Sequence, residues 1–303
     1  TKVKVTVKRD GEVIPFEITR GKIPMHSVDA AFMTSATDGY VRVSKFSRST
    51  YEEFVKAIAG LRAQGMEHLV VDLRDNSGGY FDQALMMSNL FLPKDSLIVF
   101  LEGRKRARED YRADGRGPYQ DLPVSLLINE GSASSSEIFA GALQDNHRAT
   151  IVGRRSFGKG LVQEPINFTD GSGIRLTVAR FHTPSGRCIQ KPYTEDYAFE
   201  VYKRYAGSEM VQKDSMKIEN GGIIPDVFVP LDTTRASDFY IKCNKKASAL
   251  RFASHYFDKH HAELSAIDDY AQLLDYLDQA ELDKQFLQFV KKTDGLVPKK
   301  GEW

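Results

Sequence analysis

The stretch from Pro123 to Gln163 constrains this chain more than any other. A short apolar run, Val124, Leu126, Leu127 and Ile128, lies between Pro123 and Asn129-Glu130-Gly131, which predicts a buried strand. A turn of small polar residues follows, Gly131-Ser132-Ala133-Ser134-Ser135-Ser136. Glu137, Ile138, Phe139, Ala142 and Leu143 then recur at helical spacing, so a helix is expected to begin near Ser134 to Ser136. Serine and glutamate suit that start, because the first backbone N–H groups need acceptors and the helix dipole is positive there. A second apolar strand, Ala149 to Val152, runs into Gly153-Arg154-Arg155-Ser156-Phe157-Gly158-Lys159-Gly160. A strand, turn and helix in this order place a small residue at a strand's carboxyl end beside free N–H donors. Such a place can hold a nucleophile and stabilise an oxyanion. Taken alone, Gly-Lys-Gly is most simply a solvated loop lysine, and serines opening a helix are most simply a cap. The two together are far more specific.

The segments Asn129–Ile138 and Gly153–Gln163 resemble the C-terminal processing peptidases, also called tail-specific proteases. Those enzymes use a serine nucleophile, a lysine base and, in some members, a glutamine turned toward the lysine. The resemblance implies Ser134 as nucleophile, Lys159 as base and Gln163 as the supporting amide. Ser135 stands where the family usually has alanine, which makes three consecutive serines. A third segment, Asp72-Leu73-Arg74-Asp75-Asn76-Ser77-Gly78-Gly79, resembles the family's Asp-Leu-Arg-Asn-Asn-Pro-Gly-Gly signature, with Ser77 in place of proline. Read without the resemblance, this glycine pair after a buried strand is a strand-to-helix turn. Read with it, the N–H groups of Gly79 (or Gly78) and of Ser135 are the oxyanion donors.

The resemblance covers most of residues 1 to 230. It implies an α/β fold with a crotonase-like (Clp protease/crotonase) core, and a serine endopeptidase cutting protein substrates at or near their C-terminal region. No cofactor or metal is implied, and the implied setting is the cell envelope, periplasmic or extracytoplasmic. A lysine acts as a base only when neutral, and its ordinary pKa of about 10.4 keeps it charged at neutral pH. Burial of Lys159 between Gly158 and Gly160 is expected to depress that value, and Gln163 could steer the amine without adding a charge. Two rivals remain. The same fold serves in binding modules that lack the nucleophile or the lysine, and a Ser-His-Asp hydrolase could draw on His147 or His182, though neither has a triad context.

Composition narrows the partners. Lys+Arg 42 against Asp+Glu 41 leaves a net charge of +1, no reason to expect nucleic acid or an anionic membrane. No apolar run approaches the ~20 residues that span a bilayer. Cys188 and Cys243 are too few and too separate for a disulfide framework, and no Cys/His cluster has zinc-ligand spacing.

In chain order, Val3, Val5 and Val7 alternate before Arg9-Asp10-Gly11-Glu12, a strong hairpin signal, with Val13, Phe16 and Ile18 after it. A lone hairpin is marginal in water, so these strands are expected to pair with something else. They resemble the last strands of a PDZ domain, whose remainder is not in this sequence. Residues 20 to 36 read as a connector and Gly39–Phe46 as a strand. Ser49-Thr50-Tyr51-Glu52 reads as a capping box for a helix ending at Gly65. His68–Leu73 is a buried strand, Phe81–Leu92 a helix and Ser96–Leu101 a strand, while Arg104–Gly117 reads as a mobile excursion. Gly173–Phe181 is a further strand, and residues 191 to 218 look like an insertion. From Asp238 the spacing is helical, with apolar stripes suited to packing on the core or on a second subunit. Three parts are expected: residues 1–19 as a PDZ remnant, 20–232 as the peptidase core and 233–303 as a helical region.

Overall fold

Runs rich in valine, leucine and isoleucine form strands because branched side chains fit a pleated surface, and buried parallel strands are apolar on both faces. The computed structural model describes residues 1–9, 11–21, 26–192, 221–231, 237–267 and 270–303. Its first half holds β1 (Lys2–Arg9), β2 (Glu12–Thr19), β3 (Val28–Met33), β4 (Asp38–Val43), α1 (Thr50–Ala63), β5 (His68–Asp72), α2 (Phe81–Asn89), β6 (Leu97–Glu102) and β7 (Glu109–Arg112). Then come β8 (Val124–Ile128), α3 (Ser135–Asp145), β9 (Ala149–Gly153), β10 (Leu161–Asn167), β11 (Gly173–His182) and β12 (Val227–Phe228).

The main sheet has the order β12-β9-β8-β5-β4-β3, so its strands lie side by side in chain order. All its neighbours are parallel except β3 and β4. Consequently the carboxyl ends of β5, β8 and β9 share one edge, and the turns leaving them meet there. Helix α1 buries Phe54, Ile58 and Leu61 at intervals of four and three residues, the spacing of one helical face. Phe54 meets Phe91 and Phe139 edge-on, with ring centroids 6.2 and 6.4 Å apart, and this aromatic cluster fixes α3 against the core. A second, antiparallel sheet has the order β10-β11-β6-β7.

Several expectations change. The residue 20–36 connector contains β3, which pairs antiparallel with β4. Arg104–Gly117 contains β7, a charged strand pairing with β6. Neither shows an apolar/polar alternation: β3 is apolar but for Asp29, and β7 is charged. The Ser49 hydroxyl bonds Glu53 rather than Glu52, and Glu53 also takes the N–H groups of Ser27 and Val28. The β1–β2 hairpin pairs with no other strand among the described residues, and Val13, Phe16 and Ile18 are exposed on it. Alternation specifies a strand but not its neighbour. The expected insertion at 191–218 lies almost wholly outside the described residues.

The chain divides into two compact units, Thr1–Pro230 and Leu231–Trp303. The second consists of helices Asp238–Lys245, Ser248–Lys259, His261–Leu264, Tyr270–Gln279 and Leu282–Asp294. They enclose Phe239, Cys243, Phe286 and Val290, and Trp303 stacks on Phe286 at 5.4 Å. Among the described residues no helix is long and apolar enough to cross a membrane.

Candidate active site

The turns after β5 and β8 are knitted together by serine hydroxyls. Ser132 Oγ donates to Leu73 O at 2.7 Å and Ser136 Oγ to Asn76 O at 2.9 Å. Ser135 Oγ donates to Gly79 O at 3.0 Å. The hydroxyl of Ser134, in the midst of these, donates no hydrogen bond among the described residues. Ser134 also has a strained backbone, with φ 56° and ψ −115° as it enters α3, and Asp75 in the facing turn has φ 62°. A non-glycine residue with positive φ is uncommon and costs of order 1–3 kcal/mol, and it is the backbone state of a serine raised on a strand-to-helix elbow.

Two glycines make room for it. A Cβ on Gly78 would lie 2.8 Å from Ser134 Cβ and 2.9 Å from Ser135 N. A Cβ on Gly79 would lie 1.9 Å from Phe46 O, so only glycine fits there. Neither the Gly79 N–H nor the Ser135 N–H has an acceptor among the described residues, and the glycine turn packs against the start of α3.

Glu137 lies beneath this arrangement, fully buried. Its Oε2 accepts the N–H groups of Ser134 and Lys159, each at 2.8 Å. Its Oε1 accepts the Gly158 N–H at 2.6 Å and the Ser156 hydroxyl at 2.5 Å. Burial pushes the Glu137 carboxyl above its ordinary range, and the four donors act against that rise. Because Ser134 N and Lys159 N share one oxygen, they lie no more than about 5.6 Å apart. Glu137 does more than favour a helix start, the role expected of it from the sequence. Its position three residues after Ser134 was the available signal.

The loop bearing Lys159 is held by its backbone throughout. Lys191 N–H donates to Gly158 O, Gly160 N–H to Gln190 Oε1, and Phe181 N–H to Gly160 O. Gly158 and Gly160 are buried, but Lys159 itself is exposed, contrary to expectation. The reason is steric. The glycines pack closely because they have no side chains, with Gly160 so tight that a Cβ would sit 2.6 Å from Gln190 N. The side chain between them projects outward. No hydrogen bond joins Lys159 Nζ to Ser134 Oγ among the described residues. Gln163 is exposed on β10, just past a register shift, and its amide donates to Thr177 Oγ1 at 3.3 Å rather than to the lysine.

Asp72, at the end of β5, is wholly buried and takes hydrogen bonds from the Arg74 guanidinium and from Tyr40 at 2.6 Å. Burial pushes its carboxyl up, but those bonds outweigh it and hold the carboxyl below the usual range. This cluster stiffens the base of the glycine turn. Neither histidine rival hydrogen-bonds a serine of the elbow among the described residues. His147 follows the far end of α3, a helix about 16 Å long at 1.5 Å per residue. His182 lies on β11, stacked on Phe100 at 4.8 Å.

The sequence pattern of peptidase family S41 matches residues 38–199, which include the glycine turn, the Ser134 elbow and the Lys159 loop. The chain belongs to peptidase family S41. Among S41 relatives, it is 40% identical over 196 residues to a carboxyl-terminal-processing protease of Synechocystis, covering 63% of this chain and 45% of that protein. It is 38% identical over 191 residues to a probable CtpA-like serine protease of Staphylococcus epidermidis, covering 62% of this chain and 38% of that protein. The chain thus spans less than half the length of these relatives. Among solved structures it is similar to a photosystem II D1 C-terminal processing protease, at TM-score 0.55 and 30% identity over 76% of this chain and 56% of that one. The resemblance to the C-terminal processing peptidases is therefore borne out.

Proposed function

We propose that this chain carries the catalytic core of a serine endopeptidase that cuts protein substrates at or near their C-terminal region. Ser134 attacks the scissile carbonyl, and the N–H groups of Gly79 and Ser135 hold the oxyanion. Lys159 takes the serine proton, which passes to the leaving amine as the tetrahedral adduct collapses, and water then releases the acyl group. The carrying observation is the strained Ser134 elbow, whose hydroxyl donates no hydrogen bond among the described residues and which adjoins two N–H groups without acceptors there. Lys159 is anchored within reach, because its peptide shares the Glu137 carboxylate with that of Ser134. Engagement requires the side chain to turn in from solvent. Only then can burial favour the neutral amine. Gln163 would leave Thr177 to steer that amine.

We read the chain-ordered sheet as a crotonase-like core over residues 20–232, the β1–β2 hairpin as a PDZ remnant, and residues 233–303 as an accessory helical region. An extracytoplasmic setting follows from the processing role. The test is a serine-reactive fluorophosphonate applied to the full-length protein, followed by intact mass and sequencing of the labelled peptide. One adduct at Ser134, absent in Ser134→Ala, is expected. Labelling of Ser132 or Ser136 instead would show that the register is wrong.

A further inference from the structure

Phe46 holds one edge of the glycine turn. Its N–H donates to Gly78 O at 3.0 Å, and the Tyr80 N–H donates to Phe46 O at 2.9 Å. Alternate residues of an extended chain present their polar groups to opposite edges, so the N–H and C=O of Gly79 face away from Phe46. The Ser135 hydroxyl donates to Gly79 O at 3.0 Å, with a longer alternative acceptor in Tyr80 O at 3.3 Å. Ser135 is 1% exposed, so no water competes for the bond. The two acceptor-free N–H groups therefore belong to residues joined by this one hydrogen bond.

We propose that the Ser135 hydroxyl is a positioning group that sets the spacing of the two oxyanion donors, an inference that rests on the catalytic reading above. Gly78 and Gly79, with φ of 92° and 153°, hold conformations that glycine adopts most readily, and Ser77 before them is exposed. The Ser77 N–H donates no hydrogen bond among the described residues. Ser132 and Ser136 hold the turn only at Leu73 and Asn76. At the Gly79 end, the Ser135 hydroxyl is the side-chain tie facing the nucleophile. Oxyanion donors act only when placed about 2.7–3.1 Å from the developing charge, and losing one entirely costs roughly 10²–10³ in kcat. Loosening one is expected to cost less, about tenfold.

The test uses Ser135→Ala in the full-length protein, a change that removes the hydroxyl but keeps the N–H. The expected result is a kcat about tenfold lower with KM within about twofold. Affinity for a substrate-like peptide aldehyde, which forms a tetrahedral adduct, should fall by a similar factor. Affinity for the matching peptide alcohol, which forms none, should not change. Ser77→Pro removes no hydrogen bond and stiffens the turn from its other end, so it should recover most of the lost kcat in the Ser135→Ala background. Should Ser135→Ala not fold, Ser135→Cys, a weaker donor of similar size, is read in the same way. Equal weakening of aldehyde and alcohol, or an unchanged kcat, would overturn the proposal while Ser134 still takes the fluorophosphonate. Failure of that label on the wild-type protein would overturn the catalytic reading, and this inference with it.

Discussion

Around Ser134 the side chains do the holding, whereas around Lys159 only the backbone is held. Ser132, Ser135 and Ser136 each donate into the Leu73–Tyr80 turn, and the buried Asp72 carboxylate, paired with the exposed Arg74, stiffens its base. Across the site, Glu137, Gln190, Lys191 and Phe181 grip the peptides of residues 158–160, while the Lys159 and Gln163 side chains stand exposed. The contrast matches the chemistry. An oxyanion hole works by fixed dipoles that need no rearrangement at the moment of reaction. A lysine base must be neutral when used, a state that burial favours and solvent does not. On the proposed reading, the anion-binding half is built in advance and the proton-accepting half requires a side-chain movement, a gating step of the kind that sets turnover in many enzymes.

Removing the lysine should show the contrast most strongly. Lys159→Ala is expected to lower kcat by at least about three orders of magnitude, the scale seen when one member of a catalytic unit is deleted. Its melting temperature should stay within about 2 °C of wild type, since an exposed side chain is lost. Lys159→Arg should not restore activity, because a guanidinium stays protonated. A peptide-cleavage assay run beside a thermal melt checks both. Partial rescue by arginine would mean that Lys159 acts as a charge rather than as a base.

Glu137→Gln should break the contrast, because one carboxylate serves both halves. The substituted amide would direct its NH₂ at groups that are themselves donors. A loss of about 3 kcal/mol is expected, as for a buried charged hydrogen-bond network that loses its acceptor. That corresponds to roughly 6–12 °C in melting temperature, with activity falling alongside. Calorimetry would decide, and a melt unchanged within about 2 °C would show that the carboxylate is not holding the two loops.

Gln163→Ala should have the smallest effect, less than about tenfold in kcat and nothing measurable in stability, because its one hydrogen bond is exposed. A larger kcat effect at unchanged KM would show that Gln163 leaves Thr177 and engages the lysine during turnover.

Much of this was legible in the sequence for identifiable reasons. The strands after Pro123 and before Gly153 are apolar on both faces, and the Ser134–Glu137 spacing marks a helix start. Strands β3 and β7 are not legible because both are short edge strands without a two-residue apolar rhythm, β3 being apolar almost throughout and β7 charged. The exposure of Lys159 was misjudged because buried glycines imply a buried backbone, not a buried neighbour. The Ser135–Gly79 bond joins residues 56 positions apart in sequence, and no local pattern encodes it.

The shared carboxylate of Glu137 has a consequence for how the protein comes into being. Synthesis proceeds from the amino terminus, so the Ser134 elbow leaves the ribosome before the loop of residues 156–160. Until that loop arrives, Glu137 lacks three of its four donors, and burying it would leave a nearly unsatisfied charge. The elbow therefore cannot settle early. The nucleophile's turn and the loop of residues 156–160 are expected to become ordered together, late in synthesis, rather than one after the other.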